Sequence, residues 1–239
     1  METQTKKSPA SKGKCNLCGR TFGKSGMTKH LMSCIQKERA SQVSSPGKKG
    51  REIKTLHLVV EGRYRPAYWM HLEARSDATL EDLDLFLRHI WLECCGHMSA
   101  FTIQGHEYTS SGPFGELLDW QETMDIALGE VLSPGMKFEH EYDFGTTTHL
   151  KLKVVGENEG HVVGEEIRVL ARNDPPPIMC QSCGKEATKV CRQCLWSGAG
   201  WLCDECARKH ECGEDMFLPV VNSPRVGMCG YTGNTSYAT

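Results

Sequence analysis

Eight of the chain's 13 cysteines stand in four Cys-x-x-Cys pairs, at 15/18, 180/183, 191/194 and 203/206. Two residues between thiols let a tight turn aim both sulfurs at one ion, which is the spacing of zinc ligands. The opening residues, METQTKKSPASKGK, are basic and lack an apolar stretch, so no secretory signal is expected. A cytoplasmic location follows as the default expectation, and a reducing compartment disfavours structural disulfides. No apolar run approaches the roughly 20 residues that span a bilayer, so no membrane partner is expected.

The first pair belongs to a set of four: Cys15, Cys18, His30 and Cys34. His30 and Cys34 are i, i+4, so a helix presents both on one face and can close a tetrahedral shell with the two knuckle thiolates. Phe22 and Leu31 would be the minimal core, with metal supplying what so short a unit cannot. The second set is Cys180, Cys183, Cys191, Cys194, Cys203, Cys206, His210 and Cys212, enough for two closed sites. Its ligands can pair sequentially or alternately. The alternating arrangement is preferred, because residues 184–190 are a short span for two knuckles to face each other around one ion. Trp196 and Trp201 are then expected to cover the space between the two ions, and Cys229 is a spare ligand that can replace His210 or Cys212. Three zinc ions per chain are expected.

The net charge of −2 hides a split. Residues 1–54 carry 13 Lys/Arg against 3 Asp/Glu, a net of +10, and the remainder carries 15 against 27, a net of −12. A basic head on an acidic body suggests an arm that binds a polyanion. The expected organisation is a disordered basic tail at 1–14, a zinc finger at 15–35, a linker at 36–52, a folded region at 53–172, the stiff NDPPP break, and a two-zinc module at 178–230.

Only the folded region shows sustained periodicity. Strands are expected at Ile53–Val60, Ala67–Ala74, Ser99–Ile103, His106–Thr109 and Val162–Leu170, and a helix over 79–95 with a Thr79/Asp82 capping box and Gly96 as its stop. Met136–Asp143 and Thr147–Val155 read as a hairpin whose register pairs Glu139, Glu141 and Asp143 with His149, Lys151 and Lys153. That register puts His140 and His149 on opposite faces, which argues against a metal site shared by them. The order of elements predicts an α+β fold, a helix packed on a mostly antiparallel sheet.

Three resemblances add to this reading. CNLCGRTFGKSGMTKHLMSC resembles the two-Cys, His, Cys fingers that share C-G-R-x-F. That likeness implies a zinc finger contacting nucleic acid or protein. The eight C-terminal ligands resemble cross-brace modules of the MYND and B-box types, which bind proteins and occasionally nucleic acid. Over about 120 residues the region containing YRPAYWMHLEARSDATLEDLDLFLRHIWLECCGHMSAFTI and EYDFGTTTHLKLKV resembles the plasmid pRiA4b ORF-3-like family. Sister sequences of that family are often labelled insertion-element passenger proteins. The likeness implies a β-grasp-like fold and assigns no activity. Thr146, Thr147 and Thr148 stand where many members carry an acidic residue and Trp.

Other matches fail on context. Asp143-Phe144-Gly145 spells the kinase magnesium triplet without a Gly-rich loop or H-R-D upstream. GRTFGKS has three residues where a phosphate loop needs four. Cys94 falls at helical spacing with Leu80, Leu83, Leu87 and Ile90 and is expected to be a small buried hydrophobe. The expected function is therefore non-enzymatic binding. Nucleic acid is contacted through Lys14, Arg20, Lys24 and Lys29 of the basic finger, with no small-molecule substrate. A protein–protein adaptor is the runner-up, and an enzyme working through the middle region's His and acidic residues comes third.

Overall fold

The computed structural model describes residues 11–43, 52–110, 122–161 and 165–233. In chain order its elements are β1 (Lys12–Cys15), β2 (Thr21–Gly23), α1 (Lys24–Val43), β3 (Glu52–Gly62), β4 (Trp69–Arg75), α2 (Leu80–Leu87), β5 (Ser99–Ile103) and β6 (His106–Thr109). Then follow β7 (Glu122–Thr123), α3 (Leu128–Val131), β8 (Lys137–Tyr142), β9 (Thr148–His161), β10 (Ile167–Asn173), β11 (Lys189–Cys191), β12 (Trp201–Leu202), α4 (Asp204–Ala207) and β13 (Phe217–Pro219). The fold is α+β and mostly sheet. Ten strands form one sheet in the order β2-β1-β10-β4-β3-β9-β8-β5-β6-β7, and β11 lies between β12 and β13 in a second, small sheet.

Alternation builds the large sheet. Leu56, Leu58 and Val60 of β3 and Met70, Leu72 and Ala74 of β4 face the main core, where Leu80, Leu83 and Leu87 of α2 pack on them. The capping box is present: the Thr79 hydroxyl accepts from the Asp82 N–H at 3.1 Å, and the Asp82 carboxylate accepts from the Thr79 N–H at 2.8 Å. The helix is shorter than its apolar spacing predicts. It ends at Leu87 and passes into a π-helical turn over Arg88–Leu92. Ile90, Trp91 and Leu92 are all buried, and three consecutive buried positions do not fit one face of a 3.6-residue winding. Cys94 therefore lies beyond the helix, though it still packs, half-buried, against the main core. The β8–β9 hairpin meets the charge expectation in part: Glu139 stands opposite Lys151 and Glu141 opposite His149, but Lys153 faces Lys137, and Asp143 lies past the end of β8, outside the ladder. The last strand of the middle region runs Ile167–Asn173 instead of Val162–Leu170, with residues 162–164 outside the described residues.

The finger is not a separate bead on a linker. β1 pairs with β10, so the finger's hairpin extends the large sheet, and α1 lies over the sheet face opposite α2. Met27, Leu31 and Ile35 of α1 recur every four residues and pack with Trp69, Leu170 and Ala171. A Cβ at Gly13 would overlap the Arg172 carbonyl oxygen and come within 2.8 Å of the Trp69 ring, so only glycine allows β1 to approach this closely. Residues 36–43, expected as linker, continue α1 because its last turns are pinned to the sheet. Arg39 donates to Glu73 and to the Thr55 hydroxyl, both at 2.7 Å, and Arg168 bridges Glu73 and Glu38. Burial would raise the Glu73 carboxyl, but Arg168 and Arg39 hold it below the usual carboxylate range. Residues 11–14, expected in the disordered tail, supply β1 and Ser11, whose hydroxyl accepts from the Trp69 indole N–H at 2.7 Å. Residues 1–10 and 44–51 lie outside the described residues.

Under α1 the rings of His57 and His71 meet, with Nε2 to Nδ1 at 2.9 Å. Both rings are buried, and burial is the main cause that lowers His57 to about 4 and His71 to about 3. The unfolded chain therefore binds protons below about pH 6.5 that the folded chain refuses, so this contribution to stability is complete above that pH and falls as the pH drops. Urea unfolding between pH 7 and 4.5 should show stability declining by up to about 1.4 kcal/mol per pH unit for each histidine. His57→Gln with His71→Gln should flatten that slope, and an unchanged slope would refute the assignment.

Candidate metal centres

The first centre sits where the finger meets the sheet edge. The knuckle closes through two backbone hydrogen bonds, Cys15 N–H to Arg20 carbonyl at 2.9 Å and Gly19 N–H to Cys15 carbonyl at 2.7 Å. Gly19 has φ +76°, which favours glycine. α1 brings His30 and Cys34 one turn apart onto the knuckle. Cys18 Sγ lies 3.2 Å from His30 Nε2 and Cys15 Sγ 4.0 Å from Cys34 Sγ, and all four ligand atoms fall within 4.8 Å of one another. Tetrahedral zinc with bonds of about 2.0–2.3 Å places its ligand atoms roughly 3.5–3.8 Å apart, so the set fits the ion. Phe22 stacks on His30 at 4.6 Å and orients its ring. The Arg20 N–H is the largest influence on Cys18, and with the Arg20 side chain it overcomes burial to bring that thiol down to about 6, favouring the thiolate a metal needs.

The C-terminal ligands are brought together alternately. Cys180, Cys183, Cys203 and Cys206 form one cluster, and Cys191, Cys194, His210 and Cys212 another, each with its ligand atoms within 4.8 Å. Cys183 and Cys203 are 3.6 Å apart, as are Cys194 and Cys212. The small sheet explains the pairing: β11 between β12 and β13 sets the knuckle before it beside the one after β12. The donor chemistry again suits zinc, and His210 keeps a buried Nε2 with no hydrogen-bond partner, a costly arrangement unless an ion or similar partner takes it up. Four protein ligands leave no open position, so zinc held by any of these three sets would stabilise structure. The tryptophans do not cover the space between the two sites as expected. Trp201 packs against the main core, and Trp196 is 71% exposed.

A fourth cluster has no signature in the spacing of the sequence. Cys94, Cys95, His97 and Cys229 also have their ligand atoms within 4.8 Å of one another. Cys229 therefore belongs with the middle region and is no substitute for His210 or Cys212. The available signal was arithmetic: ten cysteines fill the three expected sites, leaving these three without a role.

Of the four basic finger residues, Lys14, Arg20 and Lys29 are exposed. Lys24 is half-buried and ion-paired with Glu61 where α1 meets the sheet, so it has less freedom to meet a phosphate. An open cleft beside the fourth cluster is lined by Asp84, Arg88, Glu93 and His97 among others. Arg88 is spent within that wall, bridging Asp84 at 2.6 Å and Glu93 at 3.1 Å. The Asp of the EYDFG motif is structural: it accepts from the N–H groups of Gly145 and Thr146 at 3.1 Å and from Arg225 at 2.6 Å. Among the described residues no helix is long and apolar enough to cross a membrane.

No protein-family model matches the chain, and no curated protein does. Among solved structures, a protein of unknown function from Methanosarcina mazei Go1, MM3350, is similar at 16% identity and a TM-score of 0.44, over 58% of this chain and 78% of that one.

Proposed function

We propose that the chain is a zinc-binding, non-enzymatic protein that contacts nucleic acid through the exposed face of its N-terminal finger. The observation that carries this reading is the placing of Lys14, Arg20 and Lys29 in solvent around the first metal centre, on an otherwise acidic chain. Lys6 and Lys7 before the finger and Lys48, Lys49 and Arg51 after it add charge of the same sign. Zinc at the finger would fix the knuckle and the start of α1, so these cations would meet phosphates from an ordered surface. The same reading keeps the middle region as a β-grasp-like member of the pRiA4b ORF-3-like family, supported by one main helix across an antiparallel sheet and by the EYDFG turn. It also keeps the cytoplasmic location, and a zinc count of at least three.

Deleting residues 1–52 is a poor test, because it strips β1, β2 and α1 from the sheet and uncovers Trp69 and the buried histidines. The exposed side chains serve better. Lys14→Glu with Lys29→Glu should weaken binding to a short labelled DNA duplex or RNA at low salt by tenfold or more. It should also lower the salt slope by about 0.9 for each phosphate the variant no longer neutralises. Unchanged anisotropy titrations would refute the assignment. One observation favours the adaptor reading instead: Trp196, exposed on the zinc module, is the kind of aromatic anchor that protein interfaces use.

A further inference from the structure

We propose that Cys94, Cys95, His97 and Cys229 form a fourth zinc site that fastens the C-terminal segment to the end of the α2 region. Three of the spacings are those of a tetrahedral shell, with Cys94 Sγ to Cys95 Sγ, Cys95 Sγ to Cys229 Sγ and Cys229 Sγ to His97 Nε2 each 3.6 Å; Cys95 Sγ and His97 Nε2 are closer, at 2.9 Å, and would part slightly around an ion. Three sulfurs and one imidazole match the donor set of two of the expected sites, and they converge from segments 134 residues apart. With this site included, all 13 cysteines belong to four clusters and no thiol is left over.

The backbone around the four ligands is shaped for the purpose. The π-helical turn ends at Leu92, so Cys94, half-buried and still packed against the main core, and exposed Cys95 both lie beyond the helix. Gly96, at φ +73°, reverses the chain so that His97 returns beside them, and its N–H donates to Glu93 at 2.6 Å. Cys229 holds φ +50°, a conformation a non-glycine residue keeps only where its surroundings fix it. The segment leading to Cys229 is anchored first. The Ser223 hydroxyl donates to the Trp91 carbonyl at 2.6 Å, Val226 joins the main core, and buried Arg225 pairs with Asp143.

Charge points the same way. Three thiolates around a divalent ion leave one net negative charge, and Arg225 Nη2 stands 3.3 Å from Cys94 Sγ, where it offsets that charge. Asp143 Oδ2, 3.5 Å from His97 Nε2, is already held by the same guanidinium. Cys95 is exposed, which excludes a role as a core hydrophobe. A disulfide between any two of the thiols would use two donors and leave a thiol and an imidazole with no purpose for their convergence. Four protein ligands close the shell, so the site is structural. It ties down the chain beyond the cross-brace, whose other end is already continuous with β10.

Native mass spectrometry and elemental analysis of the full chain, purified under reducing conditions without chelator, test the proposal. Four zinc ions per chain are expected. Cys95→Ser with Cys229→Ser should hold three. Should that variant fail to fold, alkylation of the wild-type chain decides: Cys94, Cys95 and Cys229 should resist iodoacetamide until the metal is stripped. Three ions with these three thiols freely alkylated would overturn the site, as would a Cys95–Cys229 disulfide in the reduced preparation, or iron in place of zinc.

Discussion

A strong chelator added under reducing conditions is expected to unfold residues 178–219 while the sheet body stays folded. Residues 178–219 bury few apolar side chains: Ala187, Val190, Leu202, Ala207 and Leu218, beside the ligands Cys180, Cys191 and Cys203, with Ile178 and Trp201 half-buried against the main core. So small a set cannot offset the entropy of ordering some forty residues, at roughly 1–2 kcal/mol each for the backbone. Structural zinc contributes about 10–16 kcal/mol per site in small metal-folded units, so removing two ions removes the main cause of order. The body stands on a different footing: its core joins β3, β4, β8 and β9 to α2 through apolar side chains that need no ion. Hydrogen exchange should show that β11, β12 and β13 lose protection and that β3 and β9 keep it. Metal uptake on refolding should release protons, because thiols must ionise to bind. Protection of β11 that survives complete zinc removal would defeat the metal-dependent reading.

Spacing made the three expected sites legible, because a ligand pair two residues apart announces itself wherever the fold carries it. The alternating assignment of the C-terminal ligands was legible too, from the shortness of residues 184–190. The hairpin register was legible in part: Glu139 and Glu141 do meet Lys151 and His149, but charge alternation did not show that Lys153 would face Lys137. What the pattern missed depends on neighbours distant in sequence. Cys94 read as an apolar helix position because nothing local shows that Ile90, Trp91 and Leu92 would all be buried and widen the winding. Cys229 has no neighbour in sequence that marks it as a ligand; its partners are 132–135 residues away. The docking of the finger was hidden for a similar reason. The polar tract after Ile35 reads as linker, yet Glu38 and Arg39 are polar because they pair with Arg168 and Glu73 across the sheet.

Replacing Arg225 with methionine is expected to cost about 3–5 kcal/mol, the range for breaking a buried ion pair from one side. Arg225 has no solvent exposure. It donates to Asp143 at 2.6 Å, to the Thr146 carbonyl at 3.1 Å and to the Thr148 hydroxyl at 3.0 Å, and it lies 4.7 Å over the Tyr142 ring. Without it the Asp143 carboxylate stays buried with the turn N–H groups as its close partners and His97 Nε2 at 3.5 Å. Asp143→Asn keeps the turn's acceptor and removes the charge, so adding it to the Arg225→Met chain should restore part of the loss. The pH dependence carries a matching sign. In the native chain burial would raise the Asp143 carboxyl, but Arg225 and the turn N–H groups hold it below the usual carboxylate range. Its contribution is therefore present above the unfolded value, about 4, and lost as the pH falls through the folded one. Once Arg225 is gone that contribution shrinks, and the variant should lose less stability than the native chain on acidification in the same window. Urea unfolding at fixed zinc, with equal m values for both chains, measures the difference. A cost below about 1 kcal/mol would mean that water reaches the pair, and that the C-terminal segment is held by its other anchors, Ser223 and Val226.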